Sequence, residues 1–156
     1  MEPYGPAVLR VVCGVMFVAH GMQKLFGMFE GGGLSGTAAY FAALGLSPAY
    51  PLAVAVGLTE FVGGLMLVAG ALTRYVTAAL IAVMLGAIWS AHLSNGFFLN
   101  WANAPGRGHG VEYHMVIVAA LLAIMLSGPG ALSVDERRAR SAEAYAYGRA
   151  RLRGKL

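Results

Sequence analysis

The chain of 156 residues is 58% hydrophobic and only 12% charged, with a formal net charge of +4 and a mean hydropathy of +0.68. A soluble domain is about one-quarter charged, so this composition argues against an ordinary water-soluble fold. The single cysteine, Cys13, excludes an intrachain disulfide, a Cys-x-x-Cys redox pair and a thiolate metal cluster. Lying inside an apolar run, it reads as a small packing residue.

The first ten residues carry Glu2, Pro3 and Pro6 rather than a basic leader, and the apolar run that follows contains His20 and Lys24. It is therefore expected to be a retained span and not a removable signal. Runs of roughly 20 apolar residues, the length a bilayer requires, predict transmembrane helices at about 8–26, 51–72, 75–93 and 111–126. None alternates apolar and polar residues as a barrel strand does. The expected fold is an all-α four-transmembrane-helix bundle over residues 1–132, followed by a basic tail helix over 133–156.

The connections carry signals of their own. Ser35 is expected to cap a short external interfacial helix through Ala43, stopped by Gly45, between spans one and two. Phe97, Phe98 and Trp101, with Trp89, read as an aromatic interfacial belt, the alternative being a lid over an external pocket. Gly128-Pro129-Gly130 stops the fourth span. Ser133-Val134-Asp135-Glu136 then has the form of a capping box that opens the tail helix.

Basic residues set the orientation. Arg137, Arg138, Arg140, Arg149, Arg151, Arg153 and Lys155 lie in the tail, Arg74 in the turn between spans two and three, and Arg10 at the start of span one. The connection at 34–50 has no Lys or Arg, and that at 94–110 has only Arg107. The positive-inside rule then puts both termini in the cytoplasm, for a protein of the plasma (inner) membrane. The tail arginines are expected to meet anionic lipid headgroups or a cytoplasmic partner. Nucleic acid is not an expected partner, because the tail simply obeys that rule.

An ionisable group inside a span costs roughly 2.5–3.5 kcal/mol at its centre. At a rise of about 1.5 Å per residue, His20 lies about 15 Å and Lys24 about 21 Å beyond Arg10, and Glu60 about 13 Å inward from Pro51. His20, Gln23, Lys24, Glu60, His92, Glu112 and His114 thus gather between the midplane and the external surface. His20 and Lys24 share a helix face. Glu60 shares a stripe with the small residues Ala53, Gly57 and Gly64, which lets helices approach closely. A Lys24–Glu60 pair is expected, either as a structural ion pair or as part of a ligand-binding or proton-handling site. Glu112 and His114 are about 200° apart around a helix; Glu112 is expected to face inward with His92 as partner, and His114 the interface. No metal site is expected from these spacings. Haem held by His20 with His92 or His114 is a weaker reading, because their depths differ.

His20-Gly21-Met22-Gln23-Lys24-Leu25-Phe26-Gly27 resembles the signature of the DoxX family of small four-span membrane proteins. Arg10, Glu60 with Gly63-Gly64, Gly110-Val111-Glu112-Tyr113 and the run from Gly128 to Asp135 fit the same resemblance. The histidine at 114 and the Arg-rich tail lie outside it. The resemblance implies kinship with the membrane subunit of a thiosulfate:quinone oxidoreductase and with membrane-associated redox complexes. Three functions follow as expectations. The first is a redox-associated subunit, at most one subunit of a membrane oxidoreductase, binding quinone or a similar small molecule through His20, Gln23, Lys24, Glu60, His92 and Glu112. The second is a noncatalytic anchor or accessory subunit of a larger complex, or a homo-oligomer. The third is a small transporter, which the absence of a continuous polar stripe disfavours.

Overall fold

A computed structural model describes residues 4–153, with side chains through residue 150. Among these residues the fold is all helical: α1 (Tyr4–Phe26), α2 (Gly33–Ala43), α3 (Ala49–Ala69), α4 (Thr73–Ala87), α5 (Glu112–Ser127) and α6 (Val134–Arg153). A π turn at Ile88–His92 and a 3₁₀ turn at Leu93–Asn95 prolong α4.

The helix ends follow local chemistry. α1 starts four residues before the expected position 8. Pro6 is accommodated because it falls in the first turn, whose N–H groups have no intrahelical partner. Pro51 is likewise the third residue of α3. The short helix α2 begins at Gly33, so Ser35 lies inside it and is not its cap. Its stop is the one expected: Gly45 takes a φ of 77°, Gly45 N–H donates to Ala42 O, and Leu46 N–H donates to Phe41 O. The third helix ends at Ala69 and not at 72, because Gly70 adopts a φ of 67° and closes the helix. A side chain at Gly70 would run into Ser133 and the Arg10 guanidinium.

Arg10 has a role that its charge alone did not suggest. Because α1 starts at Tyr4, Arg10 lies in the second turn of the helix and is only 2% exposed. Its Nε donates to Pro129 O at 2.9 Å, and Nη2 to Ala131 O at 3.3 Å. Nη1 donates to Leu67 O at 3.0 Å and also to Val68 O. One guanidinium thus ties α1 to the C-terminal carbonyls of α3, where a cation also suits the helix dipole, and to the turn after α5.

The turn after α3 is held from the tail. Ser133 Oγ accepts Glu136 N–H at 3.1 Å, as the N-cap of α6. Asp135 reaches across to α4: its carboxylate accepts Leu72 N–H at 2.9 Å, Thr73 N–H at 2.8 Å and Thr73 Oγ1–H at 2.8 Å. Burial alone would raise the Asp135 carboxyl. The hydrogen bonds from Thr73 and Leu72 and the charge of Arg138 outweigh it and hold the group below its ordinary value of 3.8. A depressed folded-state value means that the stabilisation is complete above about pH 4 and is lost as pH falls through the folded value. Asp135→Ala is expected to cost about 1 kcal/mol at neutral pH, the value of a helix cap. The gap from the parent chain should close on acidification below pH 4 in unfolding titrations. A gap independent of pH would show that the charge of Asp135 plays no part.

The helices close a ring: α1 packs on α3 and α5, α3 on α4, and α4 on α5, while α2 leans on α1 and α3. Phe17, Leu67, Leu80, Leu121 and Ile124 fill its centre with no exposure. The seam between α1 and α3 is tight. A Cβ at Gly21 would strike the backbone of Phe61, and one at Gly64 the backbone of Val18 and Gly14. Such close approach drives helix association where apolar surroundings remove any hydrophobic drive. Among the described residues, three helical segments are long and apolar enough to cross a membrane: Tyr4–Phe26, Ala49–Ala69 and Thr73–Asn95. Their outward residues, including Val8, Val12, Leu58 and Leu85, are apolar and exposed. The apolar helix α5 is shorter, at 16 residues.

On α6, Arg137, Arg138, Arg140 and Arg149 are exposed. Arg140 pairs with Glu136 at 2.7 Å, and Arg149 stands 6.0 Å from the centre of the Tyr145 ring. The side chains of Arg151 and Arg153, and all of Lys155, lie outside the described residues.

Candidate functional site: a cavity at the α1–α3 polar end

At the end of the bundle away from Arg10, the helices part around a cavity of about 1010 Å³. This is at the upper end of the range of small-molecule sites. Its walls are largely apolar, with Phe17, Phe41, Leu52, Val56, Val83 and Met84 among them. Into it come His20, Gln23 and Lys24 from α1, Glu60 from α3, His92 from the π turn, His109 from the following connection, and Tyr113 and His114 from α5.

The end of α1 is fixed by its neighbours. Thr37 Oγ1 donates to Lys24 O at 3.3 Å, and Gln23 Nε2 donates to Phe29 O at 3.2 Å. Lys24 and Leu25 lie over Gly57, where a Cβ would meet the Leu25 side chain. The Lys24 ammonium then donates to Glu60 Oε2 at 2.6 Å, with the Glu60 side chain 3% and that of Lys24 24% exposed. The stripe read from the sequence is the buried one: Ala53, Gly57, Glu60 and Gly64 all face inward. Lys24 has two further N–H donors available to the cavity.

Histidines line the facing wall. The π turn, in which Leu93 N–H reaches back to Ile88 O, lets Ser90, Ala91 and His92 all border the cavity. Such turns recur at functional sites. His92 Nδ1 lies 2.8 Å from His109 O, and His20 Nδ1 lies 2.9 Å from Met16 O. The His92 and His114 rings are 4.0 Å apart between centroids and tilted by 39°. His114 is 8% exposed, and its Nδ1 is buried with no hydrogen-bond partner. The connection after the 3₁₀ turn is tied down by Asn100, which donates to Ala104 O and Arg107 O and whose own N–H donates to His109 Nδ1 at 3.1 Å.

Of the residues singled out from the sequence, His20, Gln23, Lys24, Glu60 and His92 meet at this cavity, and Glu112 does not. His114, expected at the interface, is instead buried with its ring against His92, while Glu112, expected inward, does not border the cavity and its carboxylate makes no hydrogen bond or ion pair among the described residues. The reason is the face of α5 that packs, which carries His114, Leu121 and Ile124. Tyr113, whose hydroxyl donates to Met16 Sδ, and His109 also line the cavity, although neither was among the expected site residues. Phe97, Phe98, Trp89 and Trp101 are exposed, whereas Leu99 of the same connection borders the cavity. Among the described residues, no group of three or more His, Cys, Asp or Glu is placed to hold a metal ion.

The sequence model of the family described as DoxX matches residues 5–93. The chain is 28% identical over 131 residues to a Bacillus subtilis (strain 168) protein named "Putative oxidoreductase CatD", covering 84% of each chain. It is 30% identical over 146 residues to "Uncharacterized membrane protein Rv3486" of Mycobacterium tuberculosis (strain H37Rv), covering 87% of this chain and 82% of the relative. No solved structure matches. With its polar α1 motif at a large cavity and its helices long and apolar enough to cross a bilayer, the chain is a membrane protein and belongs to the DoxX family.

Proposed function

We propose that this protein is the ligand-binding membrane subunit of a redox complex, with a quinone-type ring held in the cavity. The observation that carries the reading is the cavity itself: apolar walls around a small set of convergent polar groups, led by the Lys24–Glu60 pair, His20 and His92. A quinone head needs donors at its carbonyl oxygens and an apolar surround for its ring and tail. Lys24 supplies the donors, and Glu60 and the histidines offer proton acceptors. The name of the B. subtilis relative agrees with an oxidoreductase context.

In this reading α5 is the fourth span. At 16 residues it is about 24 Å long, and local thinning of the bilayer accommodates its shortness. An even number of spans keeps both termini on one side, and the arginines of α6 with Arg74 make that side cytoplasmic in the plasma membrane. The cavity then opens in the outer half, with α2 beside it along the interface. Anionic lipid headgroups meet α6.

The test is to purify the full chain from its native membrane in mild detergent and quantify extractable quinones by mass spectrometry. About one ring ligand per chain is expected. A second reading, a noncatalytic anchor subunit, draws on α6, whose arginines stand exposed for a partner. A stoichiometric partner protein recovered with no ring ligand would favour it and refute the first.

A further inference from the structure

The hydrogen bonds around the cavity assign the proton positions of three of its histidines. A backbone carbonyl only accepts, so the contacts of His20 Nδ1 with Met16 O and of His92 Nδ1 with His109 O put the N–H on Nδ1 in both neutral rings. Their Nε2 atoms have no partner among the described residues and carry a bare lone pair. His109 is the reverse: its Nδ1 accepts Asn100 N–H, which leaves a donor at Nε2. The lining therefore offers donors, at Lys24 and His109, together with acceptors, at His20 and His92. A carbonyl oxygen can use only the donors. A hydroxyl oxygen accepts from a donor and gives its own proton to an acceptor.

We infer that the cavity is built for the reduced, hydroxyl-bearing ring: a hydroquinone or related dihydroxy aromatic, whose hydroxyl groups donate to His20 Nε2 and His92 Nε2. This rests on the ring-binding reading above and sharpens it. The oxidised ring covers both imidazole acceptors against largely apolar walls without pairing them, and an unmade hydrogen bond there costs affinity. The His92–His114 stack fixes the acceptor's orientation, and the π turn sets His92 at the cavity wall.

The experiment uses the full chain in detergent micelles under anaerobic conditions. Three one-ring probes are titrated by calorimetry: trimethylhydroquinone, trimethylbenzoquinone and the dimethyl ether of the hydroquinone. The hydroquinone is expected to bind about tenfold more tightly than the quinone, the worth of roughly one net hydrogen bond or two. The ether, which has no donor, should bind no better than the quinone. His92→Phe keeps an aromatic ring against His114 and removes the acceptor, and His20→Leu removes the other without touching that stack. Each should weaken hydroquinone binding more than quinone binding and so narrow the gap between the two, and the double variant should close it. If quinone or ether binds as tightly as hydroquinone to the parent chain, the acceptor inference is wrong and the ring site survives. If no probe binds, the ring-binding reading falls with it.

Discussion

Replacing Arg10 with Met is expected to destabilise the folded chain by about 3 kcal/mol or more, with little effect on the cavity about 15 Å away along α1. Arg10 is 2% exposed and satisfies carbonyls of Leu67, Val68, Pro129 and Ala131. Hydrogen bonds to a charged donor are worth about 1.5–3 kcal/mol each, and stranding a buried acceptor costs about 1–3 kcal/mol. These contributions do not add fully, because relaxation of the turn after α5 recovers some of them. Arg10→Lys keeps a cation at the C-terminus of α3 but lacks the planar fork. It should recover about half of the loss. Reversible unfolding in mixed micelles measures both variants, and probe binding to the folded fraction should match that of the parent chain. A Met variant within about 0.5 kcal/mol of the parent would remove Arg10 from any structural role.

That residue also shows where sequence reading stops. An arginine near the start of an apolar run has two meanings, a boundary marker under the positive-inside rule or a buried anchor. The difference rests on the carbonyls of residues 67, 68, 129 and 131, which no local pattern places nearby. The all-helical class was legible, because runs of about 20 apolar residues have few other solutions. The stripe carrying Glu60 was legible too, since Ala53, Gly57 and Gly64 mark a face narrow enough for a neighbour. On α5 the same logic failed. Its exposed residues Met115, Val116 and Leu122 are as apolar as its buried Leu121 and Ile124, so no polar face tells inside from outside. His114 sits on the same side as Leu121, seven residues on and two turns away, and that spacing was the signal available. The π turn was illegible: one extra residue per turn leaves no mark in the sequence, yet it governs how His92 is presented. The 96–110 connection is shaped by Asn100 and His109, single residues with many alternative partners.

The Lys24–Glu60 pair is expected to give the second large effect, and an asymmetric one. Lys24→Met leaves a carboxylate that is 3% exposed without its partner, and breaking a buried pair costs about 3–5 kcal/mol. Glu60→Leu leaves an ammonium that is 24% exposed and can turn toward the cavity, so about half that loss is expected. The double variant, Lys24→Met with Glu60→Leu, replaces two charges by apolar side chains of similar size. It should return to within about 1 kcal/mol of the parent, since a buried pair often breaks even against packed hydrophobic residues. The cycle yields a coupling energy directly. It also separates the two roles the pair can have. A double variant that folds as well as the parent and has lost ring binding by tenfold or more assigns the pair to the ligand, because Lys24 is then missed as a donor and not as a strut. A double variant that is equally stable and binds both quinone and hydroquinone probes unchanged makes the pair a fastening between α1 and α3 alone. In that case the polar contacts of the ring pass to His20, His92 and His109.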